Sequence, residues 1–130
     1  MHFDSPFCSV GWDDIASAVC LTWKQFPEGE EFREPLLAGV ELLVQKKGRR
    51  WLADTRNLGV CTQEDVGWAA DVWTPRATAA GMAYLAFVAP RKVVGQMVIK
   101  TFINKVNNRD LLTGYFENIQ QARSWLRSQK

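Results

Sequence analysis

A single histidine, His2, and three scattered cysteines, Cys8, Cys20 and Cys61, leave this 130-residue chain with little raw material for nucleophilic or metal chemistry. A Ser-His-Asp or Cys-His arrangement would have to recruit a histidine at the extreme terminus, and a histidine metal site is excluded in practice. The odd cysteine count, wide spacing and apolar neighbours argue against both a disulfide framework and a zinc site, and fit a reducing cytoplasm. Cys61 lies near an expected helix start, where a thiolate is favoured, but no second activating group accompanies it, so a buried inert thiol is the plainer reading. The glycines are dispersed, with neither a GxGxxG nor a phosphate-loop pattern, and dinucleotide or ATP chemistry has no support. An excess of one charge is missing too. Sixteen basic against fourteen acidic residues give a formal +2, which makes no strong field for nucleic acid or anionic lipid. No apolar run approaches the ~20 residues that span a bilayer, and no charged-then-apolar leader opens the chain, so membrane insertion and secretion are not expected. No catalytic residue, metal or cofactor is assigned.

What is present is an ordinary globule. A 47% hydrophobic and 23% charged composition suits one domain over residues 1–130 with one sizeable core. Phe3, Ser5 and Phe7 alternate around Pro6 as an edge strand would, and Gly11-Trp12-Asp13-Asp14 reads as a turn. Ile15, Val19, Leu21 and Trp23 share one parity and Ala16, Ala18, Cys20 and Thr22 the other, which predicts a central strand hairpinned to the first. Acidic Glu28, Glu30 and Glu31 precede Phe32, Leu36, Val40, Leu43 and Val44 at helical spacing. Lys46, Lys47 and Gly48 end that helix, and Pro35 moves its start towards Arg33.

The segment from Trp51 to Pro90 reads as a complete βαβ crossover. A short strand, Trp51-Leu52-Ala53, ends in Asp54-Thr55-Arg56-Asn57. Thr62 then caps a helix carrying Val66, Ala69, Ala70 and Trp73. Pro75 either kinks this helix or opens a fresh turn capped by Thr74 and closed by Gly81. Ala83 to Ala89 is apolar enough to be covered on both faces, as in a parallel core. A helix from Pro90 turns Val94, Val98 and Ile103 to the sheet, with Met97 and Phe102 beside them, and keeps Arg91, Lys92, Lys100 and Lys105 in water. Leu111 to Phe116 forms a fifth strand, and Asn118 with Gln121 suggests a capping box before a last helix.

The order β-β-α-β-α-β-α-β-α, with WLADTRNLG at Trp51–Gly59, Glu64-Asp65 at a helix start, and Trp73-Thr74-Pro75-Arg76 running to Ala80-Gly81, resembles the STAS superfamily of anti-sigma-factor-antagonist-like domains. It is most similar to its small bacterial members of unknown function. The resemblance covers nearly the whole chain. It implies an α/β fold with a mixed, largely parallel five-stranded sheet flanked by four helices, and protein-protein signalling rather than catalysis. Phosphorylatable members carry an Asp-Ser-Ser type sequence at the helix after the third strand. Aligned without gaps from Asp54, those positions hold Thr62, Gln63 and Glu64, so the usual phosphoserine is absent. Thr62 stands as the remaining phosphorylation candidate, with N-capping as its plainer account.

Two sites remain. Asp54, Arg56, Asn57 and Arg91 are expected to gather at the carboxyl edge of the parallel strands, with Arg76 and Trp73 extending the surface towards a carboxylate, phosphate or flat group. Simple ion pairing of Asp54 with Arg56 or Arg76 would explain the same residues. Among the six tryptophans, Trp12 and Trp68 are the expected exposed anchors, with Trp73 a third candidate. The first functional reading is a cytoplasmic interaction or regulatory module, dimeric, binding itself or a regulatory protein. The alternative is a small-molecule carrier or sensor with a pocket at the carboxyl edge.

Overall fold

Pro6 divides the expected first strand. In the computed structural model, which describes residues 2–106 and 111–129, β1 is only Phe3–Asp4 and a second strand, β2, runs over Cys8–Asp13. Ser5 makes the bend between them, its Oγ accepting from the amides of Phe7 (3.1 Å) and Cys8 (3.2 Å). Among the described residues the sheet therefore has six strands, not five. Gly11, Trp12 and Asp13 lie in β2 rather than in a turn, paired with Cys20, Val19 and Ala18 of β3 (Ala18–Trp23). The turn falls at residues 14–17, where Asp13 Oδ1 accepts from the Ile15 amide and Ser17 takes φ +52°. Ile15, expected within the strand, is exposed there. The hydrophobic alternation of Val19, Leu21 and Trp23 holds, and all three are buried.

β4 (Arg50–Asp54), β5 (Tyr84–Val88) and β6 (Leu112–Phe116) follow β3 in parallel, so strand order along the sheet is the order in the chain. Each parallel crossover then steps the same way, and the right-handed rule sends all the crossover helices to one face. These are α1 (Glu30–Lys46), the rod formed by α2 (Gln63–Trp68), a π-helical turn (Ala69–Trp73) and α3 (Thr74–Ala79), and α4 (Val93–Lys105). They close a core of Val19, Leu21, Trp51, Leu85, Phe87 and their neighbours. α5 (Ile119–Arg127) covers the other face, packing Ala122 and Leu126 on Leu52, Ala86 and Val88.

Three helix expectations need correction. α1 starts at Glu30, with Pro35 inside it; the bond that proline forfeits falls on the carbonyl of Glu31, an exposed residue that water can serve. Pro75 lies in the first turn of α3, as the second alternative had it, but Thr74 does not cap that turn. The preceding turn widens to π geometry and Thr74, itself helical, donates Oγ1 to the Ala69 carbonyl at 2.9 Å. Gly81, at φ +122°, ends the rod as expected. In α4 the buried residues are Gly95, Ile99 and Phe102, and Val98 and Ile103 pack against the core as expected, which leaves Val94 and Met97 outside. At the last helix, Asn118 Oδ1 accepts from the Gln121 amide at 2.9 Å, the expected cap.

Candidate functional site

The carboxyl edge brings four predicted residues together and closes them on one another. Asp54, at the end of β4, is buried and grips Arg56 with both oxygens, at 2.9 Å to Nε and 2.7 Å to Nη2. That bond raises the Arg56 pKa, so the guanidinium is held charged. Asn57 Oδ1 accepts from Arg91 Nη1 at 2.7 Å, and the Arg91 amide donates to the Arg56 carbonyl. Thr55 completes the seam by donating its amide and hydroxyl to the Val88 carbonyl. Topology explains the closure. Ligand crevices open where neighbouring connections leave for opposite faces, whereas the chain leaves both β4 and β5 on the same face. Arg76 is elsewhere: it sits near the end of α3, whose exit, through Ala83 and Tyr84, is bonded to Arg49 at the amino end of β4.

The tryptophans are also engaged. Trp73 is 2% exposed, wedged 5.0 Å from the Trp51 ring, with Nε1 donating to the Leu36 carbonyl, so it cannot serve as a surface anchor. Trp12 is half-buried in β2 under the Lys46 ammonium, and Trp68 is half-buried on α2 under the Arg33 guanidinium. Arg33 also pairs with Glu64 and with the buried Asp65, whose other oxygen accepts from the Gly29 amide at 2.9 Å. Asp65 of α2 thereby caps α1, which has no side-chain cap of its own. Thr62 Oγ1 accepts from the Asp65 amide at 3.0 Å, so its hydroxyl is used as an N-cap beside two carboxylates.

Between the sheet and the crossover helices lies an apolar cavity of about 50 Å³, lined by Trp51, Trp73, Leu58, Cys61, Val66 and Phe102 among others, with Thr55 as its polar contribution. Neither Arg56 nor Arg91 lines it. Burial pushes the Cys61 thiol up to about 12, with the Asp65 charge adding to it, which marks an unreactive thiol. Cys61, Val66 and Val98 separate the cavity from a surface groove of about 550 Å³ between α2 and α4. The groove's outer wall carries Val94 and Met97, 48% and 63% exposed, and Val93 beside them is 68% exposed. The sequence held one signal of this surface. Seven of the thirteen α4 residues are large apolar side chains, more than one buried stripe needs.

Together these features define an α/β domain with a SpoIIAA-like fold, the fold that the sequence resemblance implied. One similar solved structure is an uncharacterized protein of the DUF3478 family with a SpoIIAA-like fold from Shewanella loihica PV-4. It superposes with a TM-score of 0.62 over 97% of this chain and 98% of its own, at 12% identity. No family model matches the chain, and no curated protein does. No helix among the described residues is long and apolar enough to cross a membrane.

Proposed function

We propose that this protein is a cytoplasmic, single-domain, non-catalytic regulatory module. It works as a homodimer and docks an acidic amphipathic helix of a partner protein in the groove between α2 and α4. The exposed Val94 and Met97 along that groove, with the exposed Val93 beside them, carry the reading, because a soluble protein seldom leaves such a strip uncovered on a surface helix. Charge selects the partner. α4 and the two residues before it hold Arg91, Lys92, Lys100 and Lys105 and no acid. The asymmetry is molecular in scale: residues 1–71 contain twelve acidic and seven basic side chains, residues 72–130 two and nine. An acidic helix would lay its apolar face on Val94 and Met97 and its carboxylates against the lysines.

Two synthetic helices with the same apolar face, one acidic and one basic, test this by amide chemical-shift mapping. The acidic peptide is expected to move the signals of Val94, Met97, Thr101 and Lys105, and Met97→Asp to abolish the response. A response to neither peptide, or to anionic vesicles alone, would sink the reading.

The alternative of a small-ligand carrier or sensor draws support from the apolar cavity. Its ~50 Å³ is less than the ~150 Å³ of a cavity that admits benzene, so a ligand would require α2 and α4 to part. Native mass spectrometry that found a reproducible retained mass would move this alternative ahead.

A further inference from the structure

The two edges of the sheet are built differently. β1 is blunt: two residues long, followed by Pro6, with Asp4 held by Ser9 (2.6 Å) and Lys24 (3.3 Å). Short, charged and proline-flanked edges resist pairing with other chains. β6, Leu112-Thr113-Gly114-Tyr115-Phe116, has neither charge nor proline, and Leu112 is 52% exposed with Tyr115 exposed as well. No strand among the described residues pairs with its outer side.

Backbone direction on that edge follows from two bonds. The Leu112 amide donates to the Ala83 carbonyl (3.0 Å), and the Phe116 carbonyl accepts from the Ala89 amide (2.8 Å). Leu112, Gly114 and Phe116 thus point their backbone groups towards β5. Thr113 and Tyr115, alternating with them, point theirs outward.

We propose that β6 is a homotypic interface, in which β6 of a second copy lies antiparallel beside it about a twofold axis at Gly114, joining two six-stranded sheets into one. The inference rests on the dimer of the preceding section but not on its groove. In this register Thr113 faces Tyr115 of the second copy, and the two exchange both N–H···O bonds, twice over by symmetry. Leu112 faces Phe116 at a non-hydrogen-bonded position, where side chains approach most closely and an aliphatic-aromatic pair is favourable.

Self-pairing is the occupancy that the strand's own chemistry selects. The segment is complementary to itself when reversed about Gly114, and a twofold axis there opposes no like charges because the strand has none. The glycine suits the axis. A Cβ on it would come within 2.6 Å of the Phe116 ring, so the space over this position is already taken by Phe116 and Trp125.

Sedimentation equilibrium of the full chain tests the proposal, with far-UV circular dichroism as the folding control. Thr113→Pro deletes an outward N–H and no bond to β5, and Leu112→Lys places a cation on the edge. Wild type is expected at twice the subunit mass, both β6 variants as folded monomers, and Met97→Asp as a dimer. A wild-type monomer, or a dimer that survives both β6 variants, overturns the interface. A dimer lost only with Met97→Asp overturns it too while leaving the groove reading standing. The reverse result, an intact β6 dimer that ignores the acidic peptide, removes the groove reading alone. If neither β6 variant folds, hydrogen exchange of the wild type decides: the Thr113 and Tyr115 amides are expected to gain about tenfold protection or more between dilute and concentrated samples, and no change overturns the proposal.

Discussion

Asp65 shows how one side chain can hold two helices in place. Its carboxylate is buried, bonded to the Gly29 amide at the start of α1 and paired with Arg33 at 3.2 Å. Removing it leaves an uncapped α1 and a guanidinium without its buried partner; Arg33 is partly solvated, which softens the loss. Asp65→Ala is therefore expected to cost about 2–3 kcal/mol, read as a lower urea midpoint at unchanged slope. Arg33→Ala should cost less, because Asp65 keeps its bond to the Gly29 amide. At this scale the sequence was informative where connection length decides position: Asp54, Arg56, Asn57 and Arg91 do meet, since all lie within a few residues of adjacent strand ends. What it could not supply was the side chain each would choose. A free Arg56 and an Arg56 locked on Asp54 have the same sequence, and only the two-residue separation hinted at the lock.

Among elements, α4 is set by a close approach rather than by its stripe. A Cβ on Gly95 would lie 2.6 Å from the Leu58 carbonyl oxygen and 2.7 Å from the Pro90 side chain. Gly95→Ala must shift the helix or the loop after β4, at about 1–3 kcal/mol against the ~1 kcal/mol that alanine gains in a helix. A melting temperature lower by about 2–6 °C is expected. Gly67→Ala is the control: nothing lies within 4 Å of its Cβ position, so alanine should stabilise α2 by up to ~1 kcal/mol. The elements themselves were largely legible, because burial on both faces of β4 and β5 and the caps at Thr62 and Asn118 leave local marks. β2 was missed for a physical reason. Gly11, Asp13 and Asp14 are turn formers by propensity, yet Gly11 and Asp13 pair with Cys20 and Ala18 of β3, and the Asp13 carboxylate is tolerated in the strand because Arg123 of α5 reaches over to pair with it at 2.9 Å. Val94 and Met97 were misplaced by the same kind of ambiguity. A helix apolar on more than one side does not say which side meets the sheet.

On the scale of the whole molecule, three thiols sit in or beside the two cores, and burial raises all of them. Cys20 is pushed up to about 11 and Cys61 to about 12, and Cys8, the most enclosed, is raised further. In the unfolded chain these groups ionise near 9, so from that pH upward the unfolded state has given up protons that the folded state still holds. The stability they contribute is thus fully present below pH 9 and declines as pH rises towards 11 to 12. Asp4, lowered by its bonds to Ser9 and Lys24, works in the opposite window: its contribution is present above the ordinary carboxylate range and fades as pH falls through its lowered pKa. A urea titration at each pH is expected to show a loss of stability on the alkaline side. In Cys61→Ala the slope between pH 9 and 11 should be shallower than in wild type, whatever the variant's absolute stability. An unchanged slope would mean that Cys61 ionises in the folded state as easily as in the unfolded one. That would require water to reach the cavity through the Cys61-Val66-Val98 wall, the same wall that separates it from the groove.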